Sequence, residues 1–327
     1  MAQERAAPVF PQVSRKRGHY ESFYLRACDP REPRGVWIRY TVHKRPGAEP
    51  RGSVWFTLWD PEPHASKVTV DDLSVPAGGW IRVADSVFSD GRASGSARTE
   101  QCDASWELEF EPQAEPFRHL PAEWMYRAPV PRTKTESPAP AATFRGSVTV
   151  DGRTVPVEGW PGAVGHNWGA EHAERWIWMH GIGFDGAERA WIDAAIGRVK
   201  LGPLTTPWIG NGCVCVDGRT HRLGGLGSVR SVSVRESPEH CDFVLPGAGV
   251  VVRGSVGSSR ERLVGWVYAD PGGGEHNTSN CSIARMRLRV ERDGEPPLEL
   301  VTSSNAVYEL GMRETDHGIP IQPFPDG

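Results

Sequence analysis

The sequence predicts an all-β protein, a series of short antiparallel strands arranged as sandwiches or barrels. Glycine (37 residues) and proline (28) are both plentiful in the 327-residue chain, as a fold with many turns requires. Long stretches with the 3.6-residue apolar period are few, whereas short alternating runs bounded by turn residues recur throughout.

Residues 1–18 are polar and proline-containing and read as a loose N-terminal arm. The first clear alternation is VWIRYTV (residues 36–42), followed by SVWFTLW (residues 53–59). The turn cluster Arg45-Pro46-Gly47-Ala48-Glu49-Pro50 between them makes a β-hairpin with a longer loop. Strands are also expected at residues 80–84 and 106–110; in the latter Trp106, Leu108 and Phe110 share one face, with Glu107 and Glu109 on the other. Residues 128–142 carry Pro129, Pro131, Pro138 and Pro140 and few bulky groups. That composition reads as a stiff linker and puts a domain boundary near residue 140, separating residues 19–140 from residues 141–327. Strands resume at residues 143–150 and 154–157. Beyond the centre they are expected at 207–216, 229–236, 240–245, 249–256, 262–268, 283–292, 298–302 and 306–311.

The charge balance excludes some classes of partner. The formal net charge is −4 and the longest basic run is Arg15-Lys16-Arg17, so nucleic-acid binding is not expected. Met1-Ala2-Gln3-Glu4-Arg5 leads into no apolar segment of a secretory signal, and no run approaches the roughly 18 apolar residues of a membrane helix. Six cysteines over this length fit reduced thiols, so a cytoplasmic location is the expectation.

The most informative stretch is residues 159–197. A tight loop, Gly162-Ala163-Val164-Gly165-His166-Asn167-Trp168-Gly169, precedes an alternating run that puts Trp176, Trp178, His180 and Phe184 on one face. Asp185-Gly186 is a strong turn signal, and the next strand places Trp191 and Asp193 on a common face. A two-residue loop sets His180 opposite Trp191, while a four-residue loop sets it opposite Asp193. Either even length gathers Trp176, Trp178, His180, Trp191 and Asp193 on one surface; an odd loop scatters them.

Three indoles around one carboxylate carry a chemical expectation. Burial disfavours the charged form of Asp193, raising its pKa and making it a proton donor. Indole faces stabilise a nearby cation by about 2 kcal/mol when desolvated, so the pair suits protonation of an isolated alkene. His166 is expected to orient water or relay a proton. The competing reading places the tryptophans in a core and ties the carboxylate to backbone amides.

Other motifs fall short of their contexts. Gly181-Ile182-Gly183-Phe184-Asp185-Gly186 matches a dinucleotide fingerprint, but neither a βαβ setting nor a following acid accompanies it. His166, Glu171, His172 and His180 fit no standard ligand spacing, and Cys213 with Cys215 lacks a second pair, so neither a metal nor another cofactor is expected. A nucleophile elbow and a P-loop are both absent from the sequence.

His166-Asn167-Trp168, followed by a tryptophan-rich strand and an aromatic-x-Asp strand, resembles the hydroxyneurosporene synthase (carotenoid 1,2-hydratase) and AttH-like superfamily. Plant tocopherol cyclases and other lipocalin-like cyclases are similar. Tyr20-Glu21-Ser22-Phe23-Tyr24 and Tyr308-Glu309-Leu310-Gly311 resemble an actinobacterial branch of it. The resemblance implies two antiparallel lipocalin-like β-barrels packed side by side, with an apolar pocket at or near their junction. It implies that His166, Trp168, Trp191 and Asp193 take the positions of the hydratase motif, Asp193 as the acid. Trp191 stands where the family has a tyrosine, which argues less for hydration than for cyclisation or a role in shape alone. The expectation is therefore a cofactor-independent hydratase or cyclase acting on an isoprenoid or polyketide-like molecule. Asp193 and His166 would be catalytic, and Trp168, Trp176, Trp178, His180 and Trp191 would line the substrate site. The alternatives are a non-catalytic carrier of a hydrophobic metabolite and an interaction module.

Overall fold

The computed structural model describes residues 5–323 and is nearly all β, 64% strand against 5% helix. A first sheet contains β1 (His19–Cys28), β2 (Gly35–Lys44), β3 (Arg51–Trp59), β4 (Pro63–Val70), β5 (Leu73–Ser74), β6 (Gly79–Val83), β7 (Ser86–Ser89), β8 (Arg92–Arg98), β9 (Asp103–Pro112), β10 (Phe117–Arg118), β11 (Thr133–Val150) and β12 (Arg153–Gly169). A second contains β13 (Arg175–Phe184), β14 (Ala187–Arg198), β17 (Ile209–Val216), β18 (Arg219–Gly224), β19 (Ser233–Ser237), β20 (His240–Gly247), β21 (Val250–Gly257), β22 (Val264–Ala269), β23 (Glu275–Arg292) and β24 (Leu298–Met312). The short β15 (Lys200–Leu201) and β16 (Leu204–Thr205) pair apart from both.

Every pairing between these named strands is antiparallel, and pairing of β18 with β20 closes the second sheet into an eight-stranded barrel. The first sheet curls into a nearly closed barrel, with β4 packing on β8 across the gap. Both barrels are filled by inward side chains. Phe23, Leu25, Ile38, Phe56, Trp80 and Trp106 fill the first, and Ile177, Met179, Ile192, Leu245, Met286 and Leu310 the second.

The barrels meet side by side, with β1 and β2 against β23, β12 against β13 and β11 against β14. A separate apolar cluster fills that seam, joining Tyr24, Trp37, Trp55 and Trp59 of the first sheet to Trp178 and Trp266 of the second. Strands at the seam are consequently buried on both faces. All ten residues of β1 are buried, including Glu21 and Arg26.

The expected hairpin is present as β2 and β3, and the tandem later strands appear as β17 to β24. Two expectations are corrected. Residues 128–142 are no linker: β11 begins at Thr133 and pairs with β9, β10 and β12, so the first sheet runs on to Gly169 and the chain changes sheets over residues 170–174. Its prolines are accommodated because the β11–β12 register shifts between Glu136, Ala139 and Ala142, and a bulge is where a sheet tolerates residues without an N–H. The arm is not loose over its described part; residues 1–4 lie outside the described ones. Ala6 and Phe10 are buried in the first barrel's core, and the backbone amides of Val9 and Phe10 donate to the Glu21 carboxylate at 2.8 and 2.6 Å.

Candidate functional site

The β13–β14 hairpin decides where the central residues go. Phe184 pairs with Ala187 around the two-residue turn Asp185-Gly186, and a bulge in β14, where residues 188–190 oppose Gly183, then advances the register by two. Gly183 and Gly186 both sit at φ +66°, a conformation open to glycine. His180 therefore lies opposite Asp193 and Ile182 opposite Trp191. Parity is kept, so Trp176, Trp178, His180, Trp191 and Asp193 share one face, as the sequence predicted, whereas Phe184, expected with them, turns into the barrel. Ile177, Met179, Ile192, Ala194 and Ile196 take the other face and fill the barrel. The aromatic face thus points out of its own barrel into the seam.

Asp193 is only 2% exposed. Trp178 Nε1 donates to its Oδ1 at 3.2 Å, and the Ser137 hydroxyl donates to its Oδ2. His119 Nε2 stands 3.5 Å from Oδ2 and 3.1 Å from Ser137 Oγ, while His119 Nδ1 donates to the Asn211 carbonyl at 3.3 Å. Serine and carboxylate thus meet the same imidazole nitrogen, which is not the relay order of a serine nucleophile triad. Arg222 of β18 clamps this segment by donating to the carbonyls of His119 (3.0 Å) and Arg118 (2.7 Å) while covering the Phe117 ring.

Burial acts to raise the Asp193 pKa, as expected, but His119, His180 and the Ser137 hydrogen bond outweigh it. The carboxyl is held down at about 2. The expectation of a neutral acid is therefore corrected: Asp193 rests as a carboxylate, because the donors around it favour the charged form more than the indoles disfavour it.

His180 is fully buried, donates from Nε2 to the Pro140 carbonyl at 2.8 Å and receives Arg26 Nη1 at Nδ1, 3.5 Å away. Burial and then the Arg26 charge lower its pKa to about 4, so it is a neutral imidazole. Arg26 also bridges the barrels, donating to the Ser282 and Asn305 carbonyls at 2.8 and 3.4 Å. Pro140 and Ser282 both lie where long strands lose register, which leaves their carbonyls free for partners across the seam.

His166 and Trp168 are not brought to Asp193. His166 pairs with Phe23 on β1 and shares its inward face, stacked 4.1 Å from the Phe23 ring and 4.5 Å from Trp168. Its Nδ1 faces Glu136 Oε1 at 2.9 Å and its Nε2 faces Glu21 Oε1 at 2.8 Å. Burial lowers its pKa, but the two carboxylates outweigh that and raise it. The expected role of orienting water finds no free nitrogen here: both face carboxylates and the ring is fully buried. Glu21 answers with a pKa held at about 2, since hydrogen bonds from His166 and His19 overcome its own burial.

Trp176 and Trp191 lie on the predicted face but in different surroundings. Trp176 donates to Glu309 Oε1 at 2.9 Å and stacks on both His172 and Tyr268, which also meet each other at 5.7 Å. Trp191, 5% exposed, packs in a small cluster with Ala141, Ile182, Cys213 and Cys215. A cavity of about 160 Å³ lies elsewhere, at the first barrel's rim among Val54, Val68, Val70 and Val83. None of the sequence-predicted residues lines it.

Sequence reasoning missed His119, Ser137, Glu21, Glu136 and Arg26. Ser137 and Glu136 were hidden in the proline-rich stretch, and His119 stands alone in sequence with no periodic pattern around it.

No protein-family profile matches the chain. An uncharacterized protein of Mycobacterium tuberculosis is 25% identical over 321 residues, covering 95% of this chain and 92% of the relative. Among solved structures, a protein of Nitrosomonas europaea designated an AttH aligns over 94% of this chain and 97% of its own, at 14% identity and a TM-score of 0.50. The fold is AttH-like. CghA aligns over 90% of this chain and 89% of its own, at 11% identity and TM-score 0.57. Kievitone hydratase from Nectria haematococca aligns over 91% and 89%, at 11% identity and TM-score 0.50. All three alignments span both barrels, so the AttH-like fold extends across the whole pairing, seam included.

Proposed function

We propose that this chain is a hydratase- or cyclase-type enzyme that transfers a proton to an apolar isoprenoid or polyketide-like molecule in the seam between the barrels. The observation that carries the reading is Asp193, an ionised carboxylate sealed in the seam against His119, Ser137 and Trp178, with Trp191 on the same face. A structural neighbour named as a hydratase supports the reaction class.

In this reading His119, not Asp193, handles the proton. Its Nε2 meets both the Asp193 carboxylate at 3.5 Å and the Ser137 hydroxyl at 3.1 Å, a place where a proton can pass between them. Once a proton has moved to carbon, Asp193 and the faces of Trp178 and Trp191 stabilise the resulting cation. Trp178 and Trp191, both buried, present the aromatic face of β13 and β14 to the seam. Glu21–His166–Glu136, with Trp168 stacked on it, positions β1, β11 and β12 without touching substrate. All six cysteines are unpaired and buried, which supports a reducing, cytoplasmic setting.

Incubation with a panel of terminal alkenes and enones in deuterium oxide, read by mass spectrometry, tests the reading. Wild-type protein should give deuterated product, and His119→Gln and Asp193→Asn should each slow it by about 100-fold or more. Unaltered activity in both variants rejects the assignment. Tryptophan quenching by a compound recovered unlabelled supports the carrier reading instead.

A further inference from the structure

A second buried cluster lies where the chain crosses between barrels, away from Asp193. His172 is in the connector (residues 170–174), Asp270 closes the tight turn after β22, and His276 lies in β23. His172 Nδ1 and its backbone amide both reach Asp270 Oδ1 at 2.8 Å, and His276 Nδ1 is 3.6 Å from Asp270 Oδ2. One donor atom from each residue lies within 4.8 Å of the other two. His276 is fully buried, yet neither of its ring nitrogens makes a hydrogen bond, and the buried Nε2 of His172 is likewise without one.

We propose that His172, Asp270 and His276 bind one divalent transition-metal ion of the zinc class, with a coordination position left for water. Two imidazoles and one carboxylate form a borderline donor set suited to zinc, and three protein ligands leave such an ion one open position. One carboxylate oxygen of Asp270 is 2.8 Å from His172 Nδ1 and the other 3.6 Å from His276 Nδ1, so the carboxylate lies between the two imidazoles, within reach of one shared ion. Buried ring nitrogens that make no hydrogen bond, one of them 3.6 Å from the Asp270 carboxylate, leave a demand that a metal satisfies.

The surroundings favour the ion. Arg313, the nearby cation, is itself engaged by Glu174 at 3.2 Å and by the Glu275 carbonyl at 3.1 Å. Tyr20 stacks on His172 at 4.0 Å and Trp176 at 5.4 Å, fixing the ring's plane. Bound metal would fasten the inter-barrel connector to the β22–β23 turn, whatever the chemistry at Asp193.

The test uses the full chain freed of metal with a chelator and titrated with zinc against a chromogenic competitor. One ion per chain should bind and raise the midpoint of thermal unfolding. His276→Gln and His172→Gln should each weaken binding by about 100-fold with an unchanged far-ultraviolet circular dichroism spectrum. Absence of stoichiometric binding, or equal binding by both variants, overturns the proposal. Should the variants not fold, X-ray absorption of the zinc-loaded wild type decides: a first shell with two imidazoles upholds the site, and one without imidazole rejects it.

Discussion

Glu136 and Ser137 are neighbours on β11 whose side chains leave opposite faces of the strand and serve different buried centres. Glu136 accepts from His166 inside the first barrel at 2.9 Å, and Ser137 donates to Asp193 in the seam. A single dipeptide therefore separates an imidazole held between carboxylates from a carboxylate held among donors. The two centres share a strand but not a space, and each makes its own demand on pH.

Acid should weaken the protein through both carboxylates. The pKa of Asp193 falls from 3.8 to about 2 and that of Glu21 from 4.5 to about 2 on folding. A depressed carboxyl stabilises the fold above its unfolded pKa and loses that contribution as pH falls through the folded value. Each group should add stability on the order of 2 kcal/mol at neutral pH, lost between about pH 4.5 and 2. Denaturant midpoints measured across that window should converge for wild type, Asp193→Asn and Glu21→Gln at the acid end. Parallel curves would show that the carboxylates are not preferentially ionised in the folded state.

The two central histidines should titrate in opposite senses. His180 is neutral, with its pKa lowered to about 4, whereas His166 is pushed above its ordinary value by its flanking carboxylates. Stability from His166 is present below the unfolded pKa and fades as pH rises through the folded one. That from His180 is present above roughly 6.5 and fades toward 4. Nitrogen-15 spectra at neutral pH should show His166 with both ring nitrogens protonated and His180 with a single proton on Nε2. A neutral His166 would remove the basis for the Glu21–His166–Glu136 pairing.

The fold was legible wherever one strand face met solvent or a turn stood out. Residues 106–110 alternate because β9 has one outward face, and Asp185-Gly186 announced the β13–β14 hairpin. The shared face of Trp178 and Asp193 survived because the bulge opposite Gly183 kept the parity of the register. Strand β1 was not legible: its inward Phe23 and Leu25 and its seam-facing Tyr24 and Arg26 are all buried, so no alternation marks it. Pairing of His119 and Ser137 with Asp193 depends on contacts between barrels, across 74 and 56 positions of sequence, that local pattern does not encode.

Close approach of backbone to ring should make two glycines intolerant of a methyl group. A Cβ on Gly311 would run into the indole of Trp176, and one on Gly165 into the ring of Tyr24. Neither glycine has positive φ, so the cost is steric rather than conformational. Gly311→Ala should displace Trp176 from Glu309, and Gly165→Ala should shift Tyr24 from the edge of Trp178, 4.9 Å away. Each should destabilise by about 1–3 kcal/mol in chemical unfolding. Alanine within about 0.5 kcal/mol of wild type at both positions would mean that the seam repacks freely.

The bond between Trp178 and Asp193 can be weighed directly. The indole N–H meets an ionised, 2% exposed carboxylate at 3.2 Å, and charge strengthens such a bond. Trp178→Phe keeps most of the ring and removes the donor, while Asp193→Asn keeps the shape and removes the charge. A double-mutant cycle on unfolding free energy should give a coupling of about 1 kcal/mol or more between them. Loss of the donor should also move Asp193 upward toward its ordinary pKa, because burial then faces less opposition, and carboxyl carbon-13 shifts will follow that movement. Additivity within about 0.3 kcal/mol would mean that Ser137 and His119 alone hold the charge. The tryptophan would then be a wall of the seam, with no part in fixing the carboxylate.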